Sequence, residues 1–149
     1  MMKSKRFEPI QEIASSSANQ LSRAMAEAGQ KVAELERQLE QLKSYRDEYV
    51  SNSRADGATD AVKLQNYRSF LDRLGEALRQ HAKNLDTARA EYEKRRAAWS
   101  EKRVEAESLG RVVDRFRREE RHAADQREQR EGDDAALRLS MAARGETGS

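Results

Sequence analysis

LQNYRSFLDRLGEALRQHAKNLDTARAEYEKRRAAWSEKRVEAESLGRVVDRFRREERHA, residues 64–123, carries an unbroken apolar repeat. In alternating steps of three and four it gives Leu64, Tyr67, Leu71, Leu74, Leu78, His81, Leu85, Ala88, Tyr92, Arg95, Trp99, Lys102, Ala106, Leu109, Val113, Phe116, Glu120 and Ala123. Only His81, Arg95, Lys102 and Glu120 among these are neither apolar nor aromatic. A 3.5-residue repeat held this long makes a helix supercoil and keeps one stripe against a partner helix. No proline interrupts the stretch, and its glycines, Gly75 and Gly110, stand singly. It predicts a very long helix that needs another helix.

The partner lies upstream. A seven-residue series runs Phe7, Ala14, Leu21, Ala28, Leu35, Leu42 and Tyr49, and Met25, Val32 and Leu39 widen its stripe. This predicts a first helix over about 7–52, with Pro9 in its first turn, where the missing N–H costs little. Residues 51–60, SNSRADGATD, are polar, carry Gly57, and end in Thr59 and Asp60, either of which can N-cap the second helix. That helix is expected from about residue 60 to 131 or slightly beyond, fraying near Gly132, with a flexible tail to 149.

In an antiparallel pair, level residues have sequence numbers of constant sum. Phe7 with Val113, Ala14 with Ala106, Leu21 with Trp99, Ala28 with Tyr92, Leu35 with Leu85, Leu42 with Leu78 and Tyr49 with Leu71 all add to about 120. Half of that falls at the edge of the turn. Small residues face large ones, Ala28 against Tyr92 for instance. The fold class expected is therefore all-α, one coiled-coil domain over 1–149: a long antiparallel two-helix coiled coil, or helical hairpin, with unequal helices and the second overhanging. An intermolecular coiled coil is the alternative.

Composition agrees. Charged residues make up 38% of the 149 residues, with one Pro and seven Gly, and mean hydropathy is -1.07. This is the composition of long helices rather than of a compact core. There is no Cys, so disulfides and thiolate metal sites are excluded. No apolar h-region follows the basic start, and no run approaches the roughly 20 apolar residues of a membrane span. These features predict a soluble, intracellular, elongated protein. Its net charge of +2, despite 29 Lys and Arg, is not that of a polycation.

Catalysis is not expected. His81 and His122 are the only histidines, they lack metal-ligand spacing, no phosphate-cradling loop is present, and no cofactor or metal is implied. Two aromatic-bearing stripes are more informative. Gln38, Leu42, Tyr45 and Tyr49 on helix one, and Phe70, Leu74, Ala77 and His81 on helix two, share one spacing. Antiparallel pairing sets Gln38 level with His81, Leu42 with Ala77, Tyr45 with Leu74 and Tyr49 with Phe70. The stripes either widen the core or form an apolar surface on one side of the hairpin near its turn. A second candidate is the Arg-rich segment RVVDRFRREERHAADQREQR, residues 111–130. Its interspersed acids fit a solvated helix with i,i+4 ion pairs. Docking to an acidic protein surface or to nucleic acid is the functional alternative, the latter weakened by the lack of stacking aromatics.

KRFEPIQEIA at the start, QLEQLKSYRDEYV around the first stripe and LQNYRSFLDRLGEALRQH around the second resemble the FliJ family, the coiled-coil component of the bacterial flagellar type III export apparatus. The resemblance covers essentially the whole chain. It implies a non-enzymatic stalk or adaptor that inserts into the flagellar export ATPase ring, promotes its assembly, contacts the export gate membrane protein and escorts substrate chaperones. It implies a cytoplasmic location, peripheral to the inner membrane through protein partners, with no nucleic acid bound. Gln38, Leu42, Tyr45, Tyr49, Phe70, Leu74, Ala77 and His81 would bind the export gate. By position, Phe7, Ile10, Arg111, Arg115, Phe116, Arg118 and Arg121 would meet the ATPase. A virulence-secretion stalk, or a nucleic-acid-associated coiled coil, is the alternative.

Overall fold

The computed structural model describes residues 2–56 and 60–147, and the side chains of 55, 56, 146 and 147 are not described. Two helices, α1 (Lys3–Asp56, 54 residues) and α2 (Ala61–Thr147, 87 residues), make an antiparallel helical hairpin, with no strand among the described residues. The alternative of an intermolecular coiled coil is not needed: the apolar stripe of α2 finds its partner in the same chain.

Both helices outrun their expected bounds. α1 begins four residues before Phe7, which puts Pro9 inside the helix rather than in its first turn. Pro9 is exposed, and its missing N–H takes one i→i−4 bond, to the Lys5 carbonyl, out of the helix. The extra turn is held from the other helix. The backbone N–H and the hydroxyl of Ser4 both donate to the Glu120 carboxylate, at 3.1 and 2.6 Å. The first turn of α1 holds no acid of its own. Glu120 therefore supplies both the acceptor and the negative charge that a helix N-terminus favours. At its other end α1 continues to Asp56, through most of the stretch read as a turn. Of the residues offered as turn and cap, Gly57 and Thr59 lie outside the described residues. Asp60 is a cap: its Oδ1 accepts from the Val62 N–H at 3.0 Å, and its carbonyl from the Leu64 N–H at 3.0 Å. α2 does not fray at Gly132 but runs to Thr147. A single helical glycine costs only about 1 kcal/mol relative to alanine, and the DDAALRLSMAAR that follows is rich in strong helix formers.

The chain forms two compact units, Met1–Ser17 with Lys102–Ser149, and Ala18–Glu101. In the first, Ala14 and Val113 are the most deeply buried apolar side chains, at 4% and 3% exposure. Ser4 and Ala106 are buried beside them, and Phe7, Gln11, Leu109, Phe116 and Glu120 are half-buried. From Arg121 to residue 145 every side chain is exposed, as expected of a helix that has outrun its partner. In the second unit the seam is Ala18, Ala28, Leu74, Leu78, Leu85 and Ala88, all buried, flanked by half-buried Leu21, Val32, Leu35, Leu39 and Leu42. Size compensation is visible at Tyr92, whose ring lies 3.3 Å from where a Cβ on Gly29 would stand. Arg95, a polar member of the seam, donates to the Ala24 carbonyl across the pair at 3.1 Å and to Glu91 on its own helix at 3.0 Å. The two ends of the heptad stripe, Leu64 and Ala123, are exposed, so the stripe exceeds the seam at both ends.

Candidate functional site

Two layers of helix cannot enclose a cavity: among the described residues no large side chain falls below 2% exposure. What such a fold offers to partners is its flanks. The flank of the second unit carries half of the chain's Phe, Tyr and Trp rings. Tyr49 packs against Phe70 with ring centroids 4.3 Å apart and stacks on Tyr67 at 5.6 Å, with planes 16° apart. Tyr45 meets Phe70 edge-on at 6.2 Å and 70°. Offset and edge-to-face contacts of this kind are the favoured aromatic geometries. The result is a shelf of four rings from two helices, in which Tyr45 is 52% exposed and the other three are half-buried.

The eight residues assigned to gate binding are distributed accordingly. Tyr49 and Phe70 meet as the antiparallel pairing requires. Tyr45, level with Leu74 in that pairing, instead lays its ring on Phe70, because Leu74 is drawn into the seam at 7% exposure. Leu42, Ala77 and His81 are half-buried, and the Nδ1 of His81 is buried without a hydrogen-bond partner. Gln38 is exposed and bonds along its own helix, to Glu34 at 3.4 Å. Tyr67 belongs to the shelf although the stripes omit it. Its seam spacing in the sequence marks it as core, and only the stacking on Tyr49 reveals its second role.

The seven residues assigned to the ATPase end lie in the first unit, and they divide. Phe7 and Phe116 are half-buried and pack together at 5.4 Å. Lys3 and Arg115 place their cations over the Phe116 ring at 5.6 and 5.4 Å. Ile10 is 50% exposed. Arg111 is exposed and donates to the Ser108 hydroxyl at 3.3 Å. Arg118 and Arg121 line a groove of about 740 Å³ with Met2, Asp114, Arg117 and Glu120. Arg117, which the assignment omits, is the most engaged: it donates twice to Glu8, at 2.7 and 3.2 Å, and faces Asp114 at 3.9 Å. The hydrogen bonds to Glu8 raise the guanidinium pKa above its ordinary value. Those from Ser4 hold the Glu120 carboxyl below the usual glutamate range. This is a fastening of α1 to α2 as much as a surface.

Among the described residues no cluster of His, Asp or Glu is arranged to hold a metal ion, and no helix is long and apolar enough to cross a membrane. The flagellar FliJ protein family matches the chain over residues 2–145. No curated protein and no solved structure matches it. A match over nearly the full length, on the helical hairpin that the heptads require, means that the chain belongs to the flagellar FliJ family, the non-enzymatic coiled-coil proteins associated with flagellar protein export.

Proposed function

We propose that this chain is the stalk and adaptor of the flagellar export apparatus, with separate surfaces for the export gate membrane protein and for the export ATPase ring. The observation that carries the reading is the aromatic shelf. Four rings on a largely charged surface, one of them half-exposed and fixed by its neighbours, have the composition of an interface centre rather than of solvated helix. The shelf and the adjoining Gln38, Leu42, Ala77 and His81 are the gate-docking face; Leu74 supports it from beneath. Ile10, Arg111, Arg115, Arg118 and Arg121 are the surface for the ATPase ring, where the protein promotes ring assembly, and Phe7 and Phe116 hold that surface in register. Substrate chaperones are escorted on the same molecule. It works at the cytoplasmic face of the inner membrane, held there by its protein partners.

The test is the turnover of the cognate flagellar export ATPase with and without this protein, with particles imaged in parallel. The expected result is stimulated hydrolysis together with six-fold rings that carry central density. An unchanged rate with no gain in rings would remove the stalk role.

A further inference from the structure

Tyr45 is exposed beside a shallow hollow of about 470 Å³, lined by Arg37, Glu40, Gln41, Ser44, Tyr45 and Glu48. One side of the ring meets the edge contact with Phe70. Glu40 lies five residues before Tyr45, and Glu48 three residues after it. Among the described residues neither glutamate has an ion-pair partner, and no cation stands over the Tyr45 ring. Arg37 lines the same hollow, about one turn from Glu40, and the two glutamates outnumber it. A hollow lined by an open ring and by two carboxylates without ion-pair partners favours a cation, since the ring quadrupole and both charges prefer the same sign. The first unit fills an arrangement of this kind from within, where Phe116 takes Lys3 and Arg115. The second unit leaves it open.

We infer that the hollow beside Tyr45 receives a lysine or arginine side chain from the docking segment of the export gate, its cation over the Tyr45 ring and between Glu40 and Glu48. This rests on the gate-docking reading of the shelf and adds its recognition chemistry: the partner's segment carries a basic residue next to the apolar ones that meet Tyr49 and Phe70. Both glutamates are exposed, so neutralising them leaves the seam untouched.

The experiment titrates full-length protein against the export gate membrane protein in nanodiscs, at low and at moderate salt, with helix content checked by circular dichroism. The doubly neutralised Glu40→Gln, Glu48→Gln variant is expected to bind about ten-fold more weakly at low salt and to lose most of the salt dependence. Tyr45→Leu, which keeps apolar bulk but not the ring, is expected to weaken binding to a similar degree, whereas Tyr45→Phe retains it. Wild-type affinity and unaltered salt dependence in the doubly neutralised variant would overturn the cation pocket while leaving gate docking intact. A wild-type protein that fails to bind the gate at all would overturn the docking reading, and the pocket with it.

Discussion

Each compact unit of this hairpin has its own cluster of rings, and the two clusters are in opposite states. In the unit of Met1–Ser17 with Lys102–Ser149, Phe7 and Phe116 face each other and the chain's own Lys3 and Arg115 cap the Phe116 ring. In Ala18–Glu101, Tyr45, Tyr49, Tyr67 and Phe70 form a larger cluster, no cation among the described residues covers the Tyr45 ring, and that ring is half open to solvent. The first cluster satisfies itself and so contributes to stability. The second leaves one of its rings open to solvent. Aromatic residues at similar helical spacing thus serve the seam in one unit and a flank in the other. What separates them is which neighbouring charges the chain supplies.

Removing rings from each cluster breaks the comparison most directly. Tyr45→Ala with Tyr49→Ala is expected to abolish swimming motility and to weaken gate binding by about 100-fold or more, the scale of two aromatic anchors. Helix content measured by circular dichroism stays at the wild-type level, because the seam from Ala18 to Leu42 is unaffected. Motility at the wild-type level in this double variant would end the gate assignment. Phe116→Ala should act in the opposite sense. It removes the partner of Phe7 and the seat of two cations, at a cost of about 2 kcal/mol in thermal unfolding, while gate binding is unchanged. A Phe116 variant that melts like wild type would show that the first cluster is not the fastening described here.

Two glycines of α1 and α2 differ in the same way on a smaller scale. Nothing lies within 4 Å of a Cβ built on Gly132, whereas one built on Gly29 comes within 3.3 Å of the Tyr92 ring. Gly132→Ala is expected to raise helix stability by up to about 1 kcal/mol, the intrinsic propensity difference. Gly29→Ala should gain less, because Tyr92, half-buried, must give way by a few tenths of an ångström. Amide exchange measured around each site would rank them, and a larger gain at Gly29 would mean that Tyr92 is not held where it packs.

The hairpin was legible because a heptad is a statement about helix-helix contact. The seam positions Leu71 to Phe116 are all buried or half-buried. The pairing sum survives in Gly29 beside Tyr92, Gln11 beside Gly110 and Tyr49 on Phe70. What escaped the sequence depended on residues distant along the chain or on local continuity. The start of α1 has no local cap signal, since its acceptor, Glu120, lies more than a hundred residues downstream. Gly132 reads as a stop, but nothing after it favours leaving the helix. Leu74 belongs both to a flank stripe and to the heptad, and burial resolves that ambiguity in favour of the seam. The acidic hollow beside Tyr45 was illegible for a different reason: Glu40 and Glu48 read as ordinary solvated charges until the orientation of the ring between them is known.

Acid should loosen the first unit in a way that separates the Ser4–Glu120 contact from the rings beside it. The Glu120 carboxyl accepts from the Ser4 hydroxyl and backbone N–H, and these bonds hold its pKa below the ordinary glutamate value. A group whose pKa is depressed by folding contributes stability that is fully present above its unfolded pKa and is lost as pH falls through the folded one. The contribution is therefore complete at neutral pH and disappears only in the acid range, below that of a free glutamate. Glu120→Gln removes the charge while keeping the shape. Its melting temperature should lie slightly below wild type at pH 7, and the gap should close as both proteins are acidified, because protonated Glu120 and the substituted amide then present nearly the same group to Ser4. The rest of the chain is identical in the two proteins, so the difference reports on position 120. A gap that persisted to strongly acidic pH would mean that the charge on Glu120 does not hold the start of α1.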